Sequence, residues 1–143
     1  MNAKAASGPL DNNMTIFSTY CSAEKEPANG LLPAIKRYRS DRIKRIYSAA
    51  LTCGADFFIL SGEFGLLKPN ELIPYYDHLL VADEIETYSF KVAEQIKQYG
   101  ITQIIFFTLP VAADQKLEPY HTSLRFACQM TSINLSFVEI DFA

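Results

Sequence analysis

Residues 59–77 read ILSGEFGLLKPNELIPYYD, and the first two of them end a short apolar run that begins at Asp56. Such a run is typical of a strand that is buried on both faces of a sheet. After Ser61-Gly62 the pattern breaks and two prolines follow, yet hydrophobic residues continue. A connection that is apolar and also carries Ser, Glu, Tyr and Asp is expected to pack against the sheet, where α/β proteins bind ligands.

The hydrophobic patterns elsewhere predict alternating strands and helices. Strands are expected at residues 14–20, 56–60, 103–107 and 133–142. One helix is expected to begin after Ser40 and to end at Gly54, and a second to begin after Asp83 and to end at Gly100. A third is expected from about residue 114 or 119 to residue 130. Strands that alternate with helices pair in parallel through right-handed crossovers. We therefore predict an α/β fold, a three-layer α/β/α sandwich around a mainly parallel four-stranded sheet.

The composition of the 143 residues is that of an ordinary globular protein, with 49% hydrophobic and 20% charged residues. We predict a disordered leader at residues 1–12 and a single α/β domain at residues 13–143. No apolar run is long enough for a membrane span, and the N-terminus lacks a signal-peptide core, so we expect a cytoplasmic protein without a membrane partner. Three cysteines without CxxC spacing and two distant histidines predict no disulfide framework, no metal site and no cofactor.

The net charge of −3 argues against a protein that coats nucleic acid with its whole surface. Basic residues nevertheless cluster between residues 36 and 45, a segment that contains six of them and a single acidic residue, Asp41. We regard this cluster as a candidate nucleic-acid patch; the alternative is pairing with an acidic surface elsewhere. The patch comprises Lys36, Arg37, Arg39, Arg42 and Arg45.

Two segments after the first strand are suited to an anionic ligand. Cys21, Ser22 and Lys25 follow that strand and offer a hydroxyl, backbone N–H groups and a positive charge. Tyr38 and Ser40 precede the first helix, whose N-terminus attracts anions. The alternatives are an ordinary strand-to-helix turn and a solvated, capped helix start. No His is near Cys21 in the sequence, so a structural cysteine is favoured over a nucleophile.

The stretch after the second strand supplies the remaining candidates. Asp77 is a candidate general base or hydrogen-bond partner for a nucleobase, with Ser61 as a second catalytic candidate. Tyr76 is a candidate for stacking on a ring, and Glu71 for ligand binding. The alternative is that Tyr76 packs in the core while Asp77 caps a turn. The two histidines, His78 and His121, are expected to be structural or on the surface.

Three motifs resemble those of a family of small, uncharacterised bacterial and phage domains: Cys21-Ser22-x-x-Lys25, Tyr38-x-Ser40, and LS-x-x-x-GLL-x-P-x-E-x-I-x-x-YD over residues 60–77. Residues 60–73 are distantly similar to the peroxide-stress protein family. The whole pattern is distantly similar to the core domain of archaeosine synthase, which modifies a 7-deazaguanine base in RNA. The resemblance covers about residues 14–100 and implies one pocket, which includes Gly65, at the carboxyl ends of the first two strands.

These observations predict a nucleotide- or nucleobase-directed, enzyme-like domain, and the resemblance to archaeosine synthase suggests a link to nucleic-acid base modification. Ser22, Lys25 and the helix N-terminus would hold phosphate or sugar, Tyr76 would stack, and Asp77 would act as acid or base. The alternative is a non-catalytic nucleotide-sensing or interaction module in stress response or phage defence. A third interpretation is a structural scaffold.

Overall fold

The main sheet of the computed structural model has five strands in the order β4-β3-β1-β6-β7. These strands are β1 (Thr15–Tyr20), β3 (Asp56–Ser61), β4 (Gly65–Leu67), β6 (Gln103–Thr108) and β7 (Asn134–Glu139). All neighbouring strands are parallel except β4, which is antiparallel to β3. The structure describes residues 13–143, and the predicted leader at residues 1–12 lies outside the described residues.

A second, two-stranded sheet pairs β2 (Leu32–Pro33) with β5 (Leu72–Ile73). The helices are α1 (Ala34–Arg37), α2 (Asp41–Cys53), α3 (Ile85–Tyr99) and α4 (Glu118–Thr131). Among the described residues, no helix has both the length and the apolar character that a membrane span requires.

Hydrophobic side chains cover both faces of the main sheet. Along β3, Phe57 and Ile59 join the cluster that contains the apolar face of α2. Phe58 and Leu60 point the opposite way and join the cluster that contains α3 and α4. Successive residues of a strand alternate between its faces, so each helical layer buries its own half of β3. The mixed α/β class predicted from the sequence is confirmed.

The prediction of four strands is wrong because residues 65–67 form a strand rather than part of a loop. Gly65 adopts a left-handed conformation with φ of 73°, which lets the chain turn back on β3 within three residues. Leu66 and Leu67 are then buried. The side chain of Gln95 covers the outer edge of β4, accepting a bond from Leu66 N at 2.8 Å and donating to Phe64 O at 2.9 Å.

The helix boundaries follow the predicted capping residues, with one exception. Ser40 Oγ accepts a bond from Ile43 N at 3.2 Å, and Gly54 and Gly100 end their helices in the left-handed conformation. Asp83 does not cap the helix after it. The Glu84 carboxylate accepts a bond from Val81 N at 3.0 Å and so caps the short 3-10 turn (Ala82–Glu84) before α3, which has no side-chain cap of its own.

The sheet topology determines where a ligand site can form. The chain leaves β1 towards α2 on one face of the sheet, whereas it leaves the neighbouring β6 towards α4 on the other face. The loops after these two strands therefore diverge, and a crevice opens between them at the carboxyl ends of the strands.

Candidate functional site

A cleft of about 810 Å³ lies at this crevice. One wall is formed by residues 20–26 after β1 together with the first turn of α2. Another is formed by the loop after β6 and the start of α4, and residues 77–79 form part of its rim. Three segments that are distant in the sequence therefore meet at one concave surface.

Six of the ligand-site residues predicted from the sequence border this cleft: Cys21, Ser22, Lys25, Tyr38, Ser40 and Asp77. The carboxylate of Asp77 is on an exposed residue at the rim. Ser22 Oγ donates a hydrogen bond to Glu24 O at 2.7 Å, which closes the turn after β1. These six residues lie at one concave surface, whereas Ser61, Gly65 and Tyr76, which were expected in the same pocket, do not border it.

Ser61 lies beneath the cleft and does not border it. Its Oγ accepts bonds from Glu63 N at 3.2 Å and Phe64 N at 3.1 Å, and it lies 2.9 Å from the hydroxyl of Tyr76. These contacts hold the turn between β3 and β4. The structure therefore gives Ser61 a role in shaping the site rather than direct access to a ligand.

Tyr76 also lies under the cleft, in contrast to the predicted stacking position. Lys25 Nζ lies 4.5 Å from the centroid of its ring, and the rings of Phe64 and Tyr38 meet it edge-on. Its hydroxyl lies 2.5 Å from that of Tyr38. Burial raises the pKa of both phenols well above the usual value, so they are neutral hydrogen-bonding groups.

Gly65 and Glu71 lie away from the cleft, and both have local structural roles. Gly65 turns the chain into β4 and is packed against the Gln95 side chain. The Glu71 carboxylate accepts a bond from Lys68 N at 3.2 Å, and its backbone carbonyl accepts one from Ala34 N at 2.8 Å. Neither residue is placed to contact a ligand in the cleft.

The predicted basic patch is divided between surface and interior. Lys36, Arg39 and Arg45 are exposed, and the first two border the cleft together with Lys44. Arg37 and Arg42 are buried, so neither belongs to the exposed basic surface, although Arg42 borders the cleft. The reason is that backbone carbonyls, rather than solvent, accept hydrogen bonds from their guanidinium groups.

The wall after β6 was missed by the sequence reasoning. Leu109, Asp114, Lys116, Leu117 and Tyr120 all border the cleft. A signal was present, because Leu109-Pro110 interrupts the pattern directly after a buried strand, as Cys21-Ser22 does after the first strand. Only the order of strands in the sheet shows that these two interruptions are neighbours.

His78 connects two carboxylates, those of Glu63 and Glu84, at the rim of the cleft. Its Nδ1 lies 2.6 Å from Glu63 and its Nε2 lies 2.8 Å from Glu84. The hydrogen bond with Glu84, followed by that with Glu63, raises the pKa of His78 above its usual value. The imidazolium stabilises this connection at low pH, and its contribution is lost as the pH rises through the raised pKa.

Position 62 has no room for a side chain, because three segments of the chain approach closely there. A Cβ at this position would lie 2.6 Å from the hydroxyl of Tyr120 and 3.1 Å from the carbonyl of His78. We expect Gly62→Ala to lower the free energy of unfolding by about 1–3 kcal/mol, because a buried tyrosine and a backbone segment must move apart. Urea denaturation of the two proteins measures this difference.

Gly30→Ala is the matched control for this substitution. Gly30 has φ of 81° but no atom within 4 Å of an added Cβ, so only backbone strain of about 1 kcal/mol is expected. A Gly62→Ala protein as stable as the original chain would contradict the close packing under the cleft.

Comparison with known proteins bears on the identity of the chain. The model of a family described as "Family of unknown function (DUF6884)" matches residues 18–112. No curated protein and no solved structure matches. The matched segment contains the loop after β1 and residues 77–79, which border the cleft, and it is consistent with the uncharacterised domain family suggested by the motifs. The chain belongs to the family of unknown function DUF6884.

Proposed function

We propose that the chain is a nucleotide- or nucleobase-directed, enzyme-like domain that binds its ligand in the cleft between the loops after β1 and β6. The observation that supports this proposal is an uneven lining: five of the six Lys and Arg residues that border the cleft come from residues 25–44, whereas Leu109, Leu117 and Tyr120 come from the wall after β6. A nucleotide is uneven in a similar way, because a flat base is joined through a sugar to a phosphate.

The apolar side is built from Leu79, Leu109, Leu117 and Tyr120. These come from the rim and from the wall after β6, where Leu117 and Tyr120 are buried beneath the more accessible Leu79 and Leu109. Ligand pockets are characteristically apolar with a few polar groups that fix orientation. Tyr120 borders the cleft but is 4% exposed, so Leu79 and Leu109 present most of the accessible apolar surface to a base.

The polar side is built from Lys25, Arg39 and Lys44 around the N-terminus of α2. The unpaired N–H groups at a helix N-terminus favour negative charge. Acidic residues are interspersed, with Glu24 and Asp114 at the same surface. Carboxylates in this setting accept hydrogen bonds from the hydroxyl groups of a sugar or the amino group of a base.

A thermal-shift screen against nucleotides, nucleosides, 7-deazaguanines and short oligonucleotides, at low and moderate salt, tests the proposal. A ligand at about 100 times its dissociation constant stabilises the fold by about 2.7 kcal/mol. We expect Lys25→Ala and Asp77→Ala to abolish the shift. Lys97→Ala should retain it, because Lys97 is exposed on α3 and does not border the cleft. Absence of any shift with the folded protein would contradict the proposal.

Asp77 is the residue that we propose as general acid or base. It lies at the rim between Tyr76 and His78, both of which are held by side-chain hydrogen bonds. Asp77→Asn is expected to lower turnover at least about 100-fold while binding changes little, since the amide keeps the shape but cannot exchange a proton. Single-turnover assays and titration calorimetry on the ligand from the screen measure the two effects separately.

A non-catalytic nucleotide sensor in stress response or phage defence is the second candidate. It is favoured by the absence, among the described cleft residues, of a nucleophile beside a base: the side-chain contact of Cys21 Sγ is Tyr120 Oη at 4.0 Å. A sensor would bind the ligand tightly and show no turnover before or after Asp77→Asn. Equal loss of binding and turnover in that variant would also contradict the acid–base role.

The exposed part of the basic patch supports an extension of the proposal to nucleic-acid modification. Lys36, Arg39 and Lys44 border the cleft and continue on the surface to Arg45. A strand that crosses this surface could place one base in the cleft, and its affinity would fall with increasing salt.

A further inference from the structure

Arg42 is a buried cation at the edge of the cleft. Its side chain is 2% exposed, and burial lowers its pKa. Within residues 13–143, the only ion pairs are those of His78, so no described carboxylate compensates Arg42. Removal of an unpaired charge from water is costly, and a nearby anion would reduce that cost.

The hydrogen bonds of Arg42 leave part of its guanidinium unused. Nη1 donates to Thr19 Oγ1 at 2.6 Å and to Tyr20 O at 2.7 Å, and Nη2 donates to Cys21 O at 3.2 Å. Nε has no partner. An arginine has five N–H donors, so one N–H of Nη2 and that of Nε remain without an acceptor among the described residues.

Arg37 shows what a purely structural guanidinium looks like in this fold. Its Nη1 and Nη2 atoms make four bonds, to the carbonyls of Glu26, Ala28, Gly30 and Ile73. Every terminal N–H of Arg37 is used, although its Nε has no partner, as in Arg42, and Arg37 does not border the cleft. Arg42 differs in both respects, since it keeps a terminal N–H and borders the cleft.

The surroundings of Arg42 add to its positive field. It is the second residue of α2, where the backbone N–H groups have no partner within the helix. Its guanidinium lies 3.5 Å from the centroid of the Tyr20 ring, which holds its plane in place. Lys25 and Lys44 border the same cleft and add two further positive charges.

We propose that this part of the cleft is a subsite for a phosphate monoester, centred on Arg42 and the first turn of α2 and completed by Lys25 and Lys44. The subsite rests on the proposed function and specifies it further: the ligand is a 5′-nucleotide, or a strand with a terminal phosphate, rather than a free base or nucleoside. Phosphate suits a guanidinium that has spare N–H groups, because its oxygens accept several charge-assisted bonds.

Titration calorimetry with matched nucleosides and 5′-monophosphates of the four common bases tests the subsite. We expect the nucleotide that binds best to bind at least about tenfold more tightly than its nucleoside, a difference of about 1.4 kcal/mol. Lys44→Ala should reduce this ratio severalfold. Lys97→Ala should leave it unchanged, since that lysine lies outside the cleft.

Arg42→Lys gives a second measurement, because it keeps the charge but loses the fixed fork of donors. The ratio should fall towards one in this variant; if the variant does not fold, Lys44→Ala alone decides. Oligonucleotides with and without a 5′-phosphate distinguish a strand from a mononucleotide.

Equal affinity for nucleoside and nucleotide in the original chain would overturn the subsite and leave the proposed function intact. Failure of both to bind would overturn the two together. An unchanged ratio in Lys44→Ala and in folded Arg42→Lys would also overturn the subsite.

Discussion

Replacement of Arg37 by methionine is expected to lower the free energy of unfolding by about 4 kcal/mol. Arg37 is 0% exposed, and its guanidinium donates to four carbonyls. Three of them belong to residues 26–30, and the fourth belongs to Ile73 in β5. Methionine fills similar space without a donor, so four carbonyl groups would lose their partner at once, and each buried loss costs about 1–3 kcal/mol with partial relief by water.

Lys36→Met is the matched control, because Lys36 precedes Arg37 in α1 and carries the same charge but is exposed. We expect a change within about 0.5 kcal/mol for this substitution. Urea denaturation of the three proteins at neutral pH supplies the comparison. If Arg37→Met were no more destabilising than Lys36→Met, the bonds of Arg37 would contribute nothing beyond those that water provides.

Acidification from pH 7 to pH 5 is expected to remove about 2 kcal/mol of stability through His121 alone. Burial, with a smaller effect of Arg125, lowers the pKa of His121 from 6.5 to about 4. The unfolded chain therefore binds a proton in this interval before the folded chain does. The contribution of His121 is complete above pH 6.5 and is lost as the pH falls towards 4, by about 3 kcal/mol in total.

The surroundings of His121 explain why it stays neutral. The hydroxyl of Thr108 donates to Leu109 O at 2.8 Å, so the Nε2–H of His121 donates to Thr108 Oγ1 at 2.8 Å. The ring packs against Phe137 and meets Phe106 edge-on. No carboxylate partner of the imidazole is present among the described residues, whose only histidine–carboxylate pairs are those of His78.

Two variants separate the pH-dependent contribution of His121 to stability from the contributions of the other titrating groups. His121→Gln can still donate to Thr108, and its stability should change little between pH 7 and pH 5. His78→Gln should keep the acid-dependent loss, because the contribution of His78 has the opposite sign and is complete below pH 6.5. A loss that persists in His121→Gln would assign the acid sensitivity to another group.

The features that sequence patterns predicted correctly depend on neighbours within a few residues. The apolar run at residues 56–60 is a buried strand, Ser40 caps α2, and Gly54 and Gly100 end their helices in the left-handed conformation. Caps and strand periodicity are local properties, because the interacting groups lie three or four residues apart or alternate along one segment. The position of residues 21–25 is also local, since the segment directly after β1 lies at the carboxyl edge of the sheet and borders the cleft.

The tertiary structure alone decided which of these residues border the cleft. Arg37 and Arg42 belong to a run of basic residues, and local sequence does not distinguish them from the exposed Lys36. Their partners include Ile73 and Thr19, 36 and 23 residues away. The position of Tyr76 under the cleft likewise depends on which strands are neighbours. The same is true of Leu109, which borders the same cleft as Cys21 although the two are far apart in the sequence. Hydrogen bonding and burial over such distances are properties of the assembled sheet, which no single segment of this chain encodes by itself.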